Sequence, residues 1–214
     1  MKKILYFFIL TLFGFLIVAC KQNISKEIPK DDLPKEESPE LKDKSILVAY
    51  FSRADENYNV GTITKGNTEI VAEMIAEKMD GTLFHIIRET PYPKEYNACT
   101  EEAQAEKNQK ARPKLLETKS IEDYDIIFLG YPIWWGDMPM AVYTFLESQN
   151  WNGKTLVPFC THEGSGLSGT ANQLKSTCIG ANVLEGLAIR GSTAQKDAVS
   201  TKESIEQFLK GLNL

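Results

Sequence analysis

The sequence is poor in the residues that build metal centres. It has two histidines, His85 and His162, and four cysteines, Cys20, Cys99, Cys160 and Cys178. No C-x-x-C spacing occurs among them, so a structural zinc site is not indicated. Apart from Cys20 the cysteine count is odd, which permits one disulfide plus a free thiol in an oxidising compartment. Cys160 ends an apolar run and reads most simply as a small buried residue. Positive charge is also in short supply: 24 Lys and Arg against 29 Asp and Glu give a formal net charge of −5. With no basic run and no basic-aromatic stripe, nucleic acid is disfavoured as a partner. No G-x-G-x-x-G follows the first apolar run of the folded part, so a dedicated nicotinamide site is not indicated. The G-x-S-x-G nucleophile elbow fails as well, because Gly166-Leu167-Ser168-Gly169-Thr170 lacks its last glycine. Ser165 or Ser168 with His162 has no evident acid partner, which sets a serine hydrolase aside.

What is present begins with a leader. Lys2 and Lys3 precede an apolar run from Ile4 to Ala19 that ends at Cys20, the layout of a secretory signal rather than of a spanning helix. Ile17-Val18-Ala19-Cys20 resembles a bacterial lipobox, in which the cysteine is lipidated and becomes the new N-terminus. The other readings are an uncleaved anchor, or a signal peptide with a chance cysteine. Either way the expectation is an extracytoplasmic domain held at a bacterial membrane. Residues 21–44 carry Pro29, Pro34 and Pro39 among Lys, Glu, Asp and Ser, too polar to offset the entropy of ordering, and read as a solvated tether. Residues 45–214 then form one domain of ample size for a core.

That domain alternates. Ser45–Phe51, Thr82–Ile87, Tyr124–Pro132, Thr155–Thr161 and Ala181–Ile189 are short apolar runs that read as five strands, most of them buried on both faces. Thr68–Met79 places Ile70, Val71, Met74 and Ile75 at helical spacing, with Gly81 as a stop. Further helices are expected at Pro139–Ser148, at Thr170–Cys178 and at the C-terminus around Ile205, Phe208, Leu209 and Leu212. Tyr92–Lys119 is polar and reads as a loop with a surface helix. No internal repeat is present. The pattern predicts an α/β fold: a parallel sheet with helices on both faces, and a ligand site beyond the carboxyl ends of the strands.

Three loops at that edge have unusual composition. After the first strand come Ser52, Arg53 and, at the next helix start, Gly66, Asn67 and Thr68, where free N–H groups favour an anion; a plain N-cap would look alike. After the third strand comes G-Y-P-I-W-W-G, with Trp134 and Trp135 between Pro132 and Gly136. Neighbours on a strand point to opposite faces, so both indoles cannot enter one core as part of a strand. After the fourth strand, Thr161–Thr170 holds Gly164, Gly166 and Gly169 among hydroxyl residues. Together these loops suit a phosphorylated flat heterocycle, which composition does not name.

From Ser45 onward the chain resembles the flavodoxin-like family, on Tyr50-Phe51-Ser52, Gly66-Asn67-Thr68, Gly130 through Gly136 and Pro158 through His162. The resemblance implies a three-layer flavodoxin-like fold with a five-stranded sheet of order 2-1-3-4-5, and FMN as cofactor. It implies a phosphate on Ser52, Asn67 and Thr68, with Arg53 and Gly66 beside them. It places the isoalloxazine ring by Pro132, Ile133, Trp134, Trp135 and Gly136, with Thr161, His162, Gly164, Ser165 and Gly166 on the other side. One tryptophan is then expected to meet the ring while its neighbour wedges into the loop or core. His162 is the candidate proton donor. Asp137 and Glu163, if close, would lower the reduction potential, and N–H groups of the glycine-rich loop would raise it. His85, in a strand, is expected to be structural. The chain departs from the family in an insertion, Ala54–Lys65, which forms either a lid or an outward bulge and in either case can bring Arg53 and Lys65 towards the phosphate. The expected function is an FMN-dependent redox protein, either an electron carrier or a reductase of a quinone-like small acceptor. The competing reading is a binding module that kept the fold without the flavin.

Overall fold

The structure, a computed structural model, describes residues 44–212 and Leu214. Cys20, the leader and nearly all of the tether lie outside the described residues. No helix among those described is long and apolar enough to cross a membrane.

The central sheet is parallel. β1 (Ile46–Tyr50) lies between β4 (Thr82–His85) and β5 (Ile126–Pro132); β6 (Thr155–His162) follows, and β7 (Asn182–Val183) and β8 (Leu187–Arg190) both pair with its outer side. Counting β7 and β8 as one interrupted strand, the order is the expected 2-1-3-4-5. Along β1 the side chains divide by the period of two. Leu47, Ala49 and Phe51 enter one buried cluster, with residues of α2 (Tyr96–Gln109), α3 (Met140–Glu147) and α4 (Thr170–Thr177). Ile46, Val48 and Tyr50 enter the other, with residues of α1 (Asn67–Met79), α5 (Gly191–Lys196) and α6 (Ala198–Gly211). This is the three-layer arrangement that continuous apolar strands demand, since neither face of the sheet tolerates water.

One feature differs from expectation, and two that the sequence left open are resolved. The fifth strand is not continuous over Ala181–Ile189. Leu184 N–H donates to the Leu156 carbonyl, so residue 158, two further along β6, also faces the outer strand. That residue is Pro158, which has no N–H to give, and the ladder breaks there. Gly186 fills the gap: a Cβ on it would lie 3.0 Å from both Pro158 Cγ and the Pro158 carbonyl oxygen. Second, Cys99, Cys160 and Cys178 are all buried as free thiols, with no disulfide among them. Third, the insertion folds. Asp55–Asn57 (β2) and Gly61–Ile63 (β3) pair as a small antiparallel hairpin apart from the sheet.

Candidate functional site

At the carboxyl edge of β1, β5 and β6 lies a cavity of about 270 Å³. Its floor is Asn67, Pro132, Ile133, Trp134, Trp135, Thr161 and His162. Arg53, Asn57 and Tyr58 cover it from the hairpin side, α2 supplies Tyr96, Cys99, Thr100 and Ala103, and Glu163 completes the lining.

The first loop is drawn tight at the start of α1. Gly66 caps the helix without a side chain, and Ser52 replaces the missing cap: its Oγ accepts the Glu69 N–H at 3.0 Å, while the Glu69 carboxylate accepts the Gly66 N–H at 3.4 Å. The N–H groups of Asn67 and Thr68, in the first turn, have no carbonyl within the helix to meet. The Asn67 side chain reaches the cavity, and its Oδ1 is buried without a partner among the described residues. Thr68 is buried, with its hydroxyl 2.7 Å from that of Thr161, so these two candidates meet each other beneath the cavity. His85 is structural as expected: it stacks on Tyr50, and its Nε2 lies 3.2 Å from the Ser52 carbonyl. Lys65 turns away to pair with Glu73 at 2.7 Å. Arg53 stays, but its Nη groups donate to the carbonyls of Glu56, Pro93 and Lys94. It braces the hairpin rather than offering a free charge.

The tryptophan pair sits in a two-residue turn. Trp134 and Asp137 exchange backbone hydrogen bonds at 2.9 and 3.0 Å across Trp135 and Gly136, whose φ values are 52° and 74°. Two left-handed residues make a type I′ turn, which favours Asn-Gly or Gly-Gly. A tryptophan there costs about 1–2 kcal/mol, strain of the kind that clusters at functional sites. The two indoles part. Trp134 is the wedge, edge-on to Phe51 and Tyr92. Trp135 stays 49% exposed on the cavity rim, its indole N–H given to the Thr100 carbonyl and its own carbonyl taking Lys107 Nζ. Asp137 accepts from Met138 N–H and from the Tyr143 hydroxyl, each at 2.8 Å, and does not line the cavity. Of the two acids Asp137 and Glu163, only Glu163 lines the cavity.

In the third loop His162 is the organiser. Its Nδ1 accepts from Gly164 N–H at 2.8 Å and Gly166 N–H at 3.2 Å, which requires a neutral ring with its proton on Nε2. Burial first, and Arg190 second, lower its pKa. Gly164 and Gly166 therefore spend their N–H groups on His162 instead of on a ligand. With Ser165 and Gly136 they stand behind the lining rather than in it. Glu163 accepts from Ser192 N–H at 2.6 Å, from Ser192 Oγ at 3.1 Å and from Asn59 Nδ2 at 3.1 Å. It ties the hairpin tip to α5, so the insertion is a cover and not an outward bulge.

Both histidines bind a proton less readily in the folded chain than at the ordinary value of 6.5, chiefly because of burial. The unfolded chain therefore takes up more protons as pH falls through that value, and the stability they contribute is present above about 6.5 and lost below it. Denaturant midpoints at about pH 7.5 and pH 5.5 are expected to drop more for the wild type than for His85→Gln, which keeps a donor but does not titrate. An equal drop would mean that His85 has no share in the effect.

Sequence reasoning left Asn57, Tyr58, Tyr96, Cys99, Thr100 and Ala103 unassigned. The available signals were the insertion itself and the polar 92–119 segment, which marked where extra walls arise without marking which side chains face inward.

The family model described as Flavodoxin matches residues 45–206. Among solved structures, a candidate flavoprotein from Bacteroides eggerthii is 32% identical over 80% of this chain and 99% of its own, with a TM-score of 0.64. Another, from Bacteroides uniformis, is 28% identical over 78% and 98%, with a TM-score of 0.62. A flavoprotein from Lactobacillus acidophilus, solved in complex with FMN, is 21% identical over 72% and 99%, with a TM-score of 0.54, a likeness of fold. No curated protein matches the chain.

Proposed function

We propose that this chain, which belongs to the flavodoxin family, binds FMN in the cavity at the sheet edge and serves as a reductase of a small quinone-like acceptor. The observation that carries the cofactor is Asn67: a buried, unpartnered acceptor oxygen beside the open N–H groups of α1. Donors next to an acceptor suit a phosphate ester that also bears hydroxyls. Bound FMN supplies one- and two-electron carriage between an external reductant and an acceptor.

The chain's own residues do the rest. Ser52 and the first N–H groups of α1 hold the phosphate, and Arg53 fixes the loop around it. The Pro132–Gly136 turn presents Trp135 to the ring, and His162 offers its Nε2–H from a loop stiffened by Gly164 and Gly166. The Glu163 carboxylate puts negative charge in the wall, which disfavours a negative ring and lowers its reduction potential. The hairpin and α2 cover the site, which favours a small acceptor over a docking protein. Reduction of a quinone would consume two electrons and two protons, one on each oxygen, and the His162 Nε2–H is the proton that the chain itself would place there. Residues 21–44, with Cys20 lipidated, would hold the domain outside the cytoplasm at a membrane.

The test uses soluble protein lacking residues 1–43. Flavin absorption is expected to survive gel filtration, with tryptophan fluorescence quenched on adding FMN, and Asn67→Ala to weaken binding about tenfold, the worth of one buried hydrogen bond. If saturating FMN gives neither retained colour nor quenching, the cofactor-free binding module takes its place. In the full chain, labelled palmitate is expected at Cys20 and lost in Cys20→Ser.

A further inference from the structure

Opposite the sheet edge the cavity is covered by the inserted hairpin, and none of residues 54–65 is buried. A two-stranded hairpin is at best marginally stable by itself in water, so its bonds to the rest of the chain keep this one in place. We propose that the β2–β3 hairpin is a strap that lifts and closes as a unit while the sheet stays folded, that Asn59 is its latch, and that lifting is the step through which the cofactor enters and leaves. The proposal rests on the FMN reading for the identity of what passes.

The strap has two unequal feet. On the α2 side, Arg53 donates to the carbonyls of Glu56, Pro93 and Lys94. The Glu56 N–H donates to the Lys94 carbonyl at 3.2 Å, the Glu56 carboxylate accepts the Tyr96 N–H at 2.8 Å, and the Tyr58 ring stacks 6.1 Å from that of Tyr96. Asn57 Nδ2 knits the root, 3.0 Å from the Ala54 carbonyl and 3.3 Å from those of Arg53 and Asp55. On the other side the tip is held by hydrogen bonds of Asn59. Its Nδ2 donates to Glu163 at 3.1 Å, and its carbonyl accepts Lys196 Nζ at 3.5 Å. Glu163 is itself fixed by the Ser192 N–H at 2.6 Å and the Ser192 hydroxyl at 3.1 Å, so the latch closes on a braced post. The return leg is pinned at its base, where Gln195 Nε2 donates to the Lys65 carbonyl at 2.7 Å. Releasing Asn59 frees the tip while the α2 foot and that base hold, the geometry of a flap hinged at its root.

Elements that bury little apolar area and hold by solvent-exposed polar bonds open at far less than the cost of global unfolding. A ligand on the cavity floor, along Asn67, Pro132 and Trp134, lies under the strap, so its passage waits for the tip to lift. Asn59 does not line the cavity, and its bonds to Glu163 and Lys196 are protein to protein, the same whether the cavity is filled or empty. Weakening the latch therefore speeds entry and exit by one factor and leaves the equilibrium where it was. A residue that touched the cofactor would act otherwise, changing release and affinity together. Asn59 has a φ of 63°, in the left-handed region that Asn, Asp and Gly accept, so the latch can be altered without straining the turn.

The experiment measures both rates on the full chain in detergent. Association is followed by tryptophan quenching on mixing with FMN, and release by the flavin fluorescence that returns on dilution. Asn59→Asp sets a carboxylate against Glu163, and Asn59→Gly removes the donor without adding charge. Asn59→Asp is expected to raise both rate constants about tenfold, the worth of one charge-assisted hydrogen bond, with Kd unchanged within about twofold. Asn59→Gly is expected to raise both by less. Lifting is also read without flavin. Cys99 is a buried free thiol that lines the covered cavity, whereas Cys160 and Cys178, equally buried, do not line it. In the apoprotein, labelling of Cys99 by N-ethylmaleimide, read by peptide mass, is expected to quicken about tenfold in Asn59→Asp, in step with the latch bond. Cys160 and Cys178 are expected to label at the wild-type rate. Unchanged rates in both variants, faster release with a weaker Kd, or all three thiols quickening together would each overturn the proposal. Wild-type protein that binds no FMN refutes the cofactor reading, and Cys99 labelling then decides the strap by itself: a wild-type rate in Asn59→Asp sinks it.

Discussion

Gly66→Ala is expected to lower FMN affinity about 10–100-fold while leaving a folded protein. A Cβ at Gly66 would lie 2.1 Å from Ser52 Oγ, 2.7 Å from the Arg53 carbonyl oxygen and 2.9 Å from its carbon. The backbone angles are not the obstacle, since φ −69° and ψ 153° suit alanine. Ser52 Oγ could rotate aside, but the two Arg53 contacts are with backbone, which cannot. Either Ser52 and Arg53 retreat or the first turn of α1 tilts, and overpacking of this kind costs about 1–3 kcal/mol. Both movements fall on the groups assigned to the phosphate, so most of that cost is expected in binding, at a factor of ten for each 1.4 kcal/mol. Gly211→Ala is the control: its added Cβ meets nothing within 4 Å at the end of α6, far along the chain from the site. FMN titration of both variants, with circular dichroism to establish folding, decides the matter. Unchanged affinity in Gly66→Ala would show that the start of α1 does not hold the cofactor.

The sheet was legible because its strands are buried on both faces, and continuous apolar runs such as Ile46–Tyr50 and Ile126–Tyr131 have no other home in a chain of this size. The break in the fifth strand was not, because its cause sits in another strand: Pro158 removes a donor that only the paired register shows to be needed. The three edge loops were legible by composition. What the tryptophans do was not, because a type I′ turn with tryptophan in a left-handed position is a choice that local preference argues against. Glu163 was noticed as a charge, but its latch depends on Asn59 and Ser192, 104 and 29 residues away in sequence. The wall on α2 was the least visible part. That helix buries only Cys99 and Ala103, too few apolar positions to write a period, and polar bonds hold it where apolar area does not.

Those polar bonds make the second large effect. Arg88→Ala is expected to destabilise the fold by about 3–5 kcal/mol, the cost of stranding a buried charge, and to lower Tm by roughly 10 °C for a domain of this size. Arg88 is 8% exposed on the segment after β4. Its Nη1 lies 2.7 Å from Glu102 and 2.9 Å from Glu106, both on α2, and its guanidinium stacks 4.0 Å over the Tyr92 ring. The Tyr92 hydroxyl donates to Glu106 in turn. Without the guanidinium, Glu106, whose side chain is 13% exposed, keeps only a phenol as partner. A charge-free replacement separates packing from electrostatics: Arg88→Met restores most of the volume but not the cation, so it is expected to remain destabilised. Arg88→Met with Glu106→Gln is expected to recover part of the loss, the coupling expected of residues in one polar network. Hydrogen exchange gives the local readout. Loss of protection confined at first to Tyr96–Gln109 would mean that α2 loosens before the sheet, and Trp135, held by Thr100 and Lys107, would loosen with it. A uniform loss over all helices would instead make Arg88 a general core residue. The cavity wall would then owe its place to the sheet rather than to a polar cluster built to hold it.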